Sequence, residues 1–266
     1  MRNQTRSVVW LMTGVPTFGT HRHTIRGYGA PVRHFAILCS AVLVMGCSSS
    51  SSSPPPASPP PPPHAHAHEH GPLVHRFEHA NEWAPKFDDP TRDEWQKPKD
   101  VVNAMELTPG MTVADLGAGT GYFEAHLSRA VGANGVVLAL DVEPDMVRYM
   151  TERAAREGLT NVKPSLVAMD DPKLPPSGVD RVLIVDVWHH IPERVAYAKK
   201  VAAGLKPGGR VFIVDFKLDA KHGPPPHHRL AADAVMGELV AAGLEAHTVV
   251  TTLPEQYVVM GERSSK

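Results

Sequence analysis

The sequence predicts an α/β fold, a three-layer sandwich in which helices cover both faces of a doubly wound, mostly parallel sheet. Apolar strand-like runs alternate with amphipathic helical patterns, which is typical of parallel sheets. Three glycines at every second position, Gly117, Gly119 and Gly121, separate one such strand from the next helix. Near the carboxyl end, two strands joined by a short link must pair as an antiparallel hairpin.

The elements follow in order from these patterns. Strands are predicted at 111–116, 136–141, 162–168, 179–187, 210–216, 244–251 and 256–260. Helices are predicted at 99–107, 122–131, 144–157, 192–204 and 228–242. The third of these helices has the clearest limits, because Pro144 suits the first helical position and Gly158 suits the end. Seven strands result, and the last two form the hairpin.

Composition limits the class of protein. The chain has 266 residues, 42% of them hydrophobic, which allows one good-sized domain or two small ones. Of its 27 basic residues five precede Cys47, whereas all 28 acidic residues follow it, so the remainder has a formal charge of −6. A mildly acidic body argues against nucleic-acid binding as its main role. Both cysteines, Cys39 and Cys47, precede the globular part, which excludes a disulfide or thiolate metal site there.

Residues 1–47 have the pattern of a signal peptide. An apolar run at 35–45 is too short to span a bilayer comfortably and follows an arginine-bearing segment. Val-Met-Gly-Cys at 44–47 resembles a bacterial lipobox, which predicts lipidation of Cys47 and an envelope location facing the periplasm. The alternative is an ordinary buried helix in a cytoplasmic protein. Because the leading segment is long, the true start codon is also hypothesised to lie further downstream.

Residues 48–79 are predicted to be a disordered linker before a globular domain at 80–266. A run of serines and prolines cannot build a core, so it favours a solvated spacer. Alternating histidines follow it, at His64, His66, His68 and His70. The preferred interpretation is a compositionally biased tether with no metal. The weaker one is loose binding of Zn, Ni or Cu by these imidazoles.

The spacing of the glycine loop distinguishes between cofactors. In dinucleotide-binding loops the third glycine comes three residues after the second. In this chain the third glycine comes only two residues after the second, and Asp115 precedes the loop. Asp-Leu-Gly-Ala-Gly-Thr-Gly at 115–121 resembles the first motif of class I S-adenosylmethionine-dependent methyltransferases. Further resemblances follow in order at Asp141, at 170–171, at 179–191 and at 205–216. Together they cover about residues 98–262 and imply a Rossmann-like fold.

The resemblance implies S-adenosyl-L-methionine as the cofactor. The predicted contacts are Asp115, Gly117, Ala118, Gly119, Gly121, Asp141, Val142, Asp170 and Asp171. The start of the helix after Gly121 offers partial positive charge to the cofactor carboxylate. Asp115 favours its cationic groups, and Asp141 can accept hydrogen bonds from both ribose hydroxyls. Asp170 and Asp171 either read the adenine or form a turn.

Three residues beyond the fourth strand are candidates for catalysis. Asp186, His189 and His190 lie where open α/β sheets place ligands, and one of them is a candidate base for an N or O acceptor. The alternative is that a histidine caps the following helix or packs beneath Trp188. The loop at 223–228 is interpreted as a rigid connector rather than a substrate loop. The Asn-Pro-Pro-Tyr signature of nucleic-acid amino-methylases is absent after the fourth strand.

The sequence therefore predicts methyl transfer to an unidentified, small-molecule acceptor, with no nucleic-acid partner and with a membrane anchor. The predicted export conflicts with this activity, because the cofactor is not expected to be plentiful outside the cytoplasm. The alternative function is a membrane-tethered, non-catalytic module that binds the cofactor or another ligand. A nicotinamide-dependent dehydrogenase is a distant third interpretation.

Overall fold

The computed structural model describes residues 76–266. The strands in this part of the chain are β1 Thr112–Leu116, β2 Val136–Asp141, β3 Val162–Leu166, β4 Val179–Val185, β5 Leu205–Phe216, β6 Glu245–Val249 and β7 Gln256–Glu262. The helices are α1 Ala80–Phe87, α2 Arg92–Gln96, α3 Pro98–Ala104, α4 Glu124–Val131, α5 Pro144–Glu157, α6 Arg194–Gly204 and α7 Ala232–Ala241. The predicted lipidation residue Cys47 and the histidines at 64–70 lie outside the described residues. No helix within the described range is long and apolar enough to cross a bilayer.

One sheet contains all seven strands, in the order β3-β2-β1-β4-β5-β7-β6. Neighbouring strands are parallel except around β7, which runs antiparallel to both β5 and β6. The predicted fold class and terminal hairpin are therefore confirmed. The chain continues from β1 to β2 on one side and returns to β4 on the other. This reversal opens a crevice at the carboxyl ends of β1 and β4, where ligands bind in open α/β sheets.

Apolar residues of the central strands are buried on both faces of the sheet. Val113, Ala114 and Leu116 of β1 are at most 1% exposed. Val113 packs with α3, α4 and α5 on one face, whereas Ala114 and Leu116 pack with α6 and α7 on the other. Burial on both faces requires a continuous apolar strand, which explains why the run at 111–116 is so clear in the sequence.

Several element limits differ from the sequence-based expectation; strands β3 and β4 and helix α3 end two or three residues earlier than predicted, and helix α6 begins two residues later. The strand β5 begins at Leu205, before the predicted limit, because Leu205 pairs directly with Val179 of β4. The helix α4 begins two residues late, because the glycine turn occupies its predicted start. The helix α7 begins at Ala232, after a short 3-10 turn at 226–228. Helices α1 and α2 were not predicted.

Candidate functional site

The loop between β1 and α4 lies at the crevice and is shaped by its glycines. All three glycines of the 117–121 loop have positive φ angles, between +58° and +84°. The N–H groups of Gly117 and Ala118 donate to the carbonyl of Leu140 in β2, at 2.7 and 3.1 Å. A Cβ atom at Gly117 would lie 2.4 Å from Cγ2 of Val187, so no other residue fits there without displacement. The loop is therefore held against the strand ends by its backbone.

Asp141, at the end of β2, joins the glycine loop to the next loop. Its Oδ2 accepts a hydrogen bond from the N–H of Gly119 at 2.8 Å, and its Oδ1 accepts one from the N–H of Glu143 at 2.9 Å. The residue is 6% exposed, and burial raises the pKa of its carboxyl while these backbone bonds oppose that rise. Each carboxylate oxygen can accept a second bond, so the side chain retains capacity for ribose hydroxyls.

Two further carboxyl groups are buried close to Asp141. Asp115, in β1, is 3% exposed, and burial, reinforced by the charge of Asp141, raises the pKa of its carboxyl to about 7. Glu124, the first residue of α4, is also 3% exposed, and burial raises the pKa of its carboxyl well above the usual value. Asp115, Glu124 and Asp141 are called the carboxyl cluster below. Such a cluster is suited to a cationic ligand.

Three further residues predicted to contact the cofactor, Val142, Asp170 and Asp171, lie in different surroundings. Val142 follows Asp141 and is 37% exposed at the surface of the crevice. The Asp170 side chain is mostly exposed, with its carboxylate 3.5 Å from the Lys200 ammonium. The Asp171 carboxylate accepts a hydrogen bond from the N–H of Lys173 and so forms a local turn. The turn interpretation describes Asp171 in this structure, and adenine contact by either aspartate stays a prediction.

An amino-terminal arm, residues 76–97, covers the glycine loop. Phe77, Trp83 and Phe87 pack together, with ring centroids 4.8–5.7 Å apart. The ring of Phe87 lies 3.7 Å from the place where a Cβ atom of Gly119 would be. The aromatic side chains of this arm therefore line the same crevice as the glycine loop.

Polar contacts attach the arm to the domain at both ends of the crevice. Near its start, the guanidinium of Arg76 donates two 2.9 Å hydrogen bonds to Glu143. Further along, Asp88 accepts 2.8 Å bonds from Arg153 and from the hydroxyl of Thr120 in the glycine loop. Since these contacts join residues about 30 to 70 positions apart in sequence, local patterns did not predict them.

Asp186 lies at the carboxyl end of β4 in a buried polar network. Its Oδ1 accepts a hydrogen bond from Gln256, whose amide oxygen accepts one from Gln96 of α2. Arg92 binds the Gln96 amide oxygen and approaches Asp186 at 3.9 Å. Burial raises the pKa of Asp186 to about 7, against the opposing charge of Arg92. The side chains of Arg92 and Gln96 therefore form part of this network, which connects the arm to β4 and β7.

His189 forms a buried pair with Asp215, the penultimate residue of β5. Its Nδ1 lies 2.9 and 3.0 Å from the two carboxylate oxygens, and the residues are 7% and 0% exposed. Because a carboxylate only accepts, Nδ1 carries the proton, and Nε2 of the neutral ring is the basic nitrogen. The His190 ring lies 4.2 Å from that of His189 and 6.0 Å from Phe77 of the arm.

Sequence reasoning missed Asp215 as a functional candidate. It lies within the apolar run of β5, and only its pairing with His189, from the short 3-10 turn that follows β4, distinguishes it from an ordinary strand residue. Trp188, beneath which a histidine was alternatively expected to pack, has a polar partner of its own. Trp188 is fully buried, and its indole N–H donates to Glu238 of α7 at 2.7 Å.

The loop after β5, residues 217–229, is held together by Arg229. Its guanidinium donates hydrogen bonds of 2.6–3.4 Å to five carbonyl oxygens of the loop, at residues 217, 218, 220, 222 and 224. Within the loop, the His222 ring stacks on Trp95 of the arm at 5.4 Å. A rigid loop of this kind agrees with the predicted connector, and it also forms one wall beside the arm.

Replacing Arg229 with alanine is expected to loosen this loop and to lower the free energy of unfolding by about 1–3 kcal/mol, because several carbonyls lose their partner. Hydrogen exchange of residues 217–228 should accelerate while that of β1 and β2 stays unchanged. Arg229→Lys is the matched control, since an ammonium retains some of these bonds and should show an intermediate effect. Unchanged exchange in the alanine variant would contradict the role given to Arg229.

A second prediction concerns Asp186 and pH. An unfolded aspartate ionises near pH 4, whereas the folded carboxyl titrates at about 7. Between these values the folded state holds the proton more tightly, so the contribution of Asp186 to stability falls as pH rises. Asp186→Asn mimics the protonated acid and tolerates the positive φ of 58°. Its stability relative to the wild type should therefore increase by about 1–3 kcal/mol from about pH 5 to about pH 8.

Denaturant titrations of both proteins across this range measure that difference. Histidines also titrate there, but they are common to both proteins, so the difference isolates Asp186. A difference that stays constant with pH would show that the carboxyl is already ionised when folded.

Comparisons with known proteins identify what this site resembles. A family model described as a methyltransferase domain matches residues 107–254, more than half of the chain. A crystal structure described as a SAM-dependent methyltransferase from Aquifex aeolicus superposes with a TM-score of 0.65 at 30% identity. The match covers 68% of this chain and 97% of that chain. The matched residues include the glycine loop, Asp141 and the His189–Asp215 pair.

Curated relatives act on different kinds of acceptor. A ubiquinone/menaquinone biosynthesis C-methyltransferase of Citrobacter koseri is 31% identical over 117 residues, 44% of this chain and 47% of that protein. A fibrillarin-like rRNA/tRNA 2'-O-methyltransferase of Pyrobaculum aerophilum is 32% identical over 121 residues, 43% of this chain and 50% of that protein. The chain thus spans about half the length of these relatives. The absence of a nucleic-acid partner stays a prediction.

Proposed function

The chain belongs to the S-adenosylmethionine-dependent methyltransferases, and from this premise we propose that it transfers a methyl group to a small-molecule acceptor. S-adenosylmethionine is its cofactor. The observation that carries the proposal is the crevice itself, where the glycine loop and carboxyl cluster adjoin the His189–Asp215 pair. The arm covers this crevice with aromatic side chains, which suits a small organic acceptor better than a polymer. The described residues also carry 27 acidic against 22 basic side chains, a balance that disfavours nucleic acid.

The residues of the crevice fit the cofactor chemically. S-adenosylmethionine, when bound, supplies an electrophilic methyl group on a sulfonium. Glycine at 117 lets the loop backbone pack closely against Val187, which a side chain at this position would displace. The carboxyl cluster complements a ligand that carries two cationic groups. Asp141 would hold the ribose hydroxyls, and Val142 offers an apolar surface beside it.

The His189–Asp215 pair supplies a base on the acceptor side. Asp215 fixes the imidazole tautomer and its orientation, so Nε2 can take a proton from an acceptor hydroxyl or amine. The aromatic residues of the arm would exclude water and position the acceptor. Positioning is the larger requirement, because methyl transfer is an in-line displacement. His190 would line the crevice between His189 and the arm.

Calorimetry followed by an acceptor screen tests this function. Purified protein should bind S-adenosylmethionine, and nicotinamide dinucleotides should not bind. Phenols, hydroquinones, amines and thiols are then screened for release of S-adenosylhomocysteine. Binding without turnover on any acceptor class would favour the alternative, a non-catalytic binding module. No binding at all would overturn the proposed function, whereas turnover on RNA but not on small molecules would overturn the acceptor class.

We further propose that Cys47 is lipidated and that the domain is anchored in the cell envelope through the linker at 48–79. The support is the lipobox-like sequence at 44–47, outside the described residues. Mass spectrometry of the protein from the membrane fraction should detect a diacylglyceryl Cys47 as the first residue. Cys47→Ser should move the protein out of that fraction. A soluble wild-type protein that retains residues before Cys47 would support the cytoplasmic alternative.

A further inference from the structure

Glu124 is the member of the carboxyl cluster that lies on helix α4, and no single group of the cofactor has been assigned to its side chain. It is 3% exposed, and neither Oε1 nor Oε2 has a hydrogen-bond partner among the described residues. Burying a carboxyl without such partners is costly, because water is lost and nothing replaces it. The helix itself does not require a glutamate at residue 124, since many residue types suit the first turn of α4. The orphaned oxygens therefore point to a missing partner.

The neighbours of Glu124 identify the kind of partner that is missing. The nearest charges include two carboxyls, those of Asp115 and Asp141, which raise the cost of ionising Glu124. Arg153 is the cation facing it, but the Arg153 guanidinium is already bound to Asp88, Glu157 and the carbonyl of Thr120. Glu157 adds a further negative charge. The group absent from these surroundings is a cation with hydrogen-bond donors.

The methionyl part of the cofactor contains such a cation. Its carboxylate and its ammonium group are attached to the same carbon atom, so both must bind within a few ångströms of each other. The amino end of α4 favours the carboxylate through the partial positive charge of the helix dipole. Glu124 lies in that first turn and would repel the carboxylate unless its own charge is matched. An ammonium group placed between the Glu124 carboxylate and the cofactor carboxylate removes the repulsion between these two negative charges.

We propose that the Glu124 carboxylate binds the ammonium group of the methionyl part of S-adenosylmethionine, next to Asp115. This inference rests on the proposed function, because it concerns the same cofactor site. The cofactor would then be bound by a charged residue of α4 in addition to the aspartates at the strand ends. This contact also gives a reason for an acidic residue at a helix start whose partial positive charge attracts an anion.

Binding measurements with three ligands test the proposal on the full chain. S-adenosylmethionine and S-adenosylhomocysteine both carry the ammonium group, whereas 5'-methylthioadenosine lacks the whole amino-acid part. Glu124→Gln should weaken binding of the first two ligands by about 10- to 100-fold, the range expected for a lost charge-assisted hydrogen bond. The dissociation constant of 5'-methylthioadenosine, measured by competition at millimolar concentration, should stay within about twofold of the wild-type value.

Glu157→Gln is the matched control. It removes a nearby carboxylate that pairs with Arg153 at the surface, and it should leave all three affinities unchanged. Glutamine is isosteric with the protonated acid, so the thermal midpoint of Glu124→Gln should not fall below that of the wild type. Equal weakening of all three ligands, or weakening of none, would overturn the proposal. A wild-type protein that binds none of the three overturns the proposed function instead, and this inference with it.

Discussion

Replacing Gly117 with alanine is expected to abolish measurable S-adenosylmethionine binding and to lower the free energy of unfolding by about 2–4 kcal/mol. Two effects combine at this position. The φ angle of +76° costs any residue with a Cβ atom about 1–2 kcal/mol. The added atom would also lie 2.4 Å from Cγ2 of Val187, a side chain that its branching makes stiff. The loop must shift, and both backbone bonds to Leu140 shift with it.

Gly158→Ala separates these two effects. Gly158 has a similar φ of +67° at the end of α5, but no atom lies within 4 Å of its would-be Cβ. This variant should therefore lose only about 1–2 kcal/mol and should keep its cofactor affinity. Thermal unfolding and calorimetry on the two variants measure both quantities. Normal binding by Gly117→Ala would mean that the loop does not define the cofactor site.

The glycine loop was predictable because its signals are local. Gly117, Gly119 and Gly121 occur within five residues, and their spacing alone distinguishes this loop from a dinucleotide loop. Asp141 was predictable for a related reason, since the end of an apolar strand is visible in the sequence. The structure places it against Gly119, which the strand pattern did not require. Signals that depend on one strand and one turn thus predict the places of the glycine loop and of Asp141, and the contact of these residues with the cofactor stays a prediction.

The rest of the site depends on contacts that no local pattern contains. Asp215 appears in the sequence as an ordinary strand residue, and its role is visible only in the fold, where it pairs with His189 of the 3-10 turn after β4. Glu124 fits an amphipathic helix start, yet the fold turns it inward, beneath the glycine loop. The arm also docks through Arg76 and Asp88, whose partners lie on α5 and on the loop that precedes it, far away in sequence. These are tertiary effects that override local propensity.

Replacing His189 with alanine is expected to reduce kcat by about 10²–10⁴-fold, the usual contribution of a positioned general base. Cofactor affinity should be unchanged, because the imidazole binds Asp215 on the acceptor side rather than the carboxyl cluster. Asp215→Asn should reduce kcat by a similar order, since an amide no longer fixes the tautomer with Nδ1 protonated. Both variants are assayed on the best acceptor from the screen, with S-adenosylmethionine affinity measured in parallel.

Two controls separate catalysis from structural damage. Glu238→Gln weakens the buried contact to Trp188, in the same turn as His189, without touching the His189–Asp215 pair. It should therefore lower stability slightly and leave kcat nearly unchanged. His190→Ala should reduce kcat less than about tenfold, because the pair with the Asp215 carboxylate, which fixes the imidazole tautomer, belongs to His189. A reversed order, with His190→Ala the more severe, would assign the base to His190. If neither histidine variant changes kcat, methyl transfer here proceeds by positioning alone, and the acceptor is already nucleophilic when it binds.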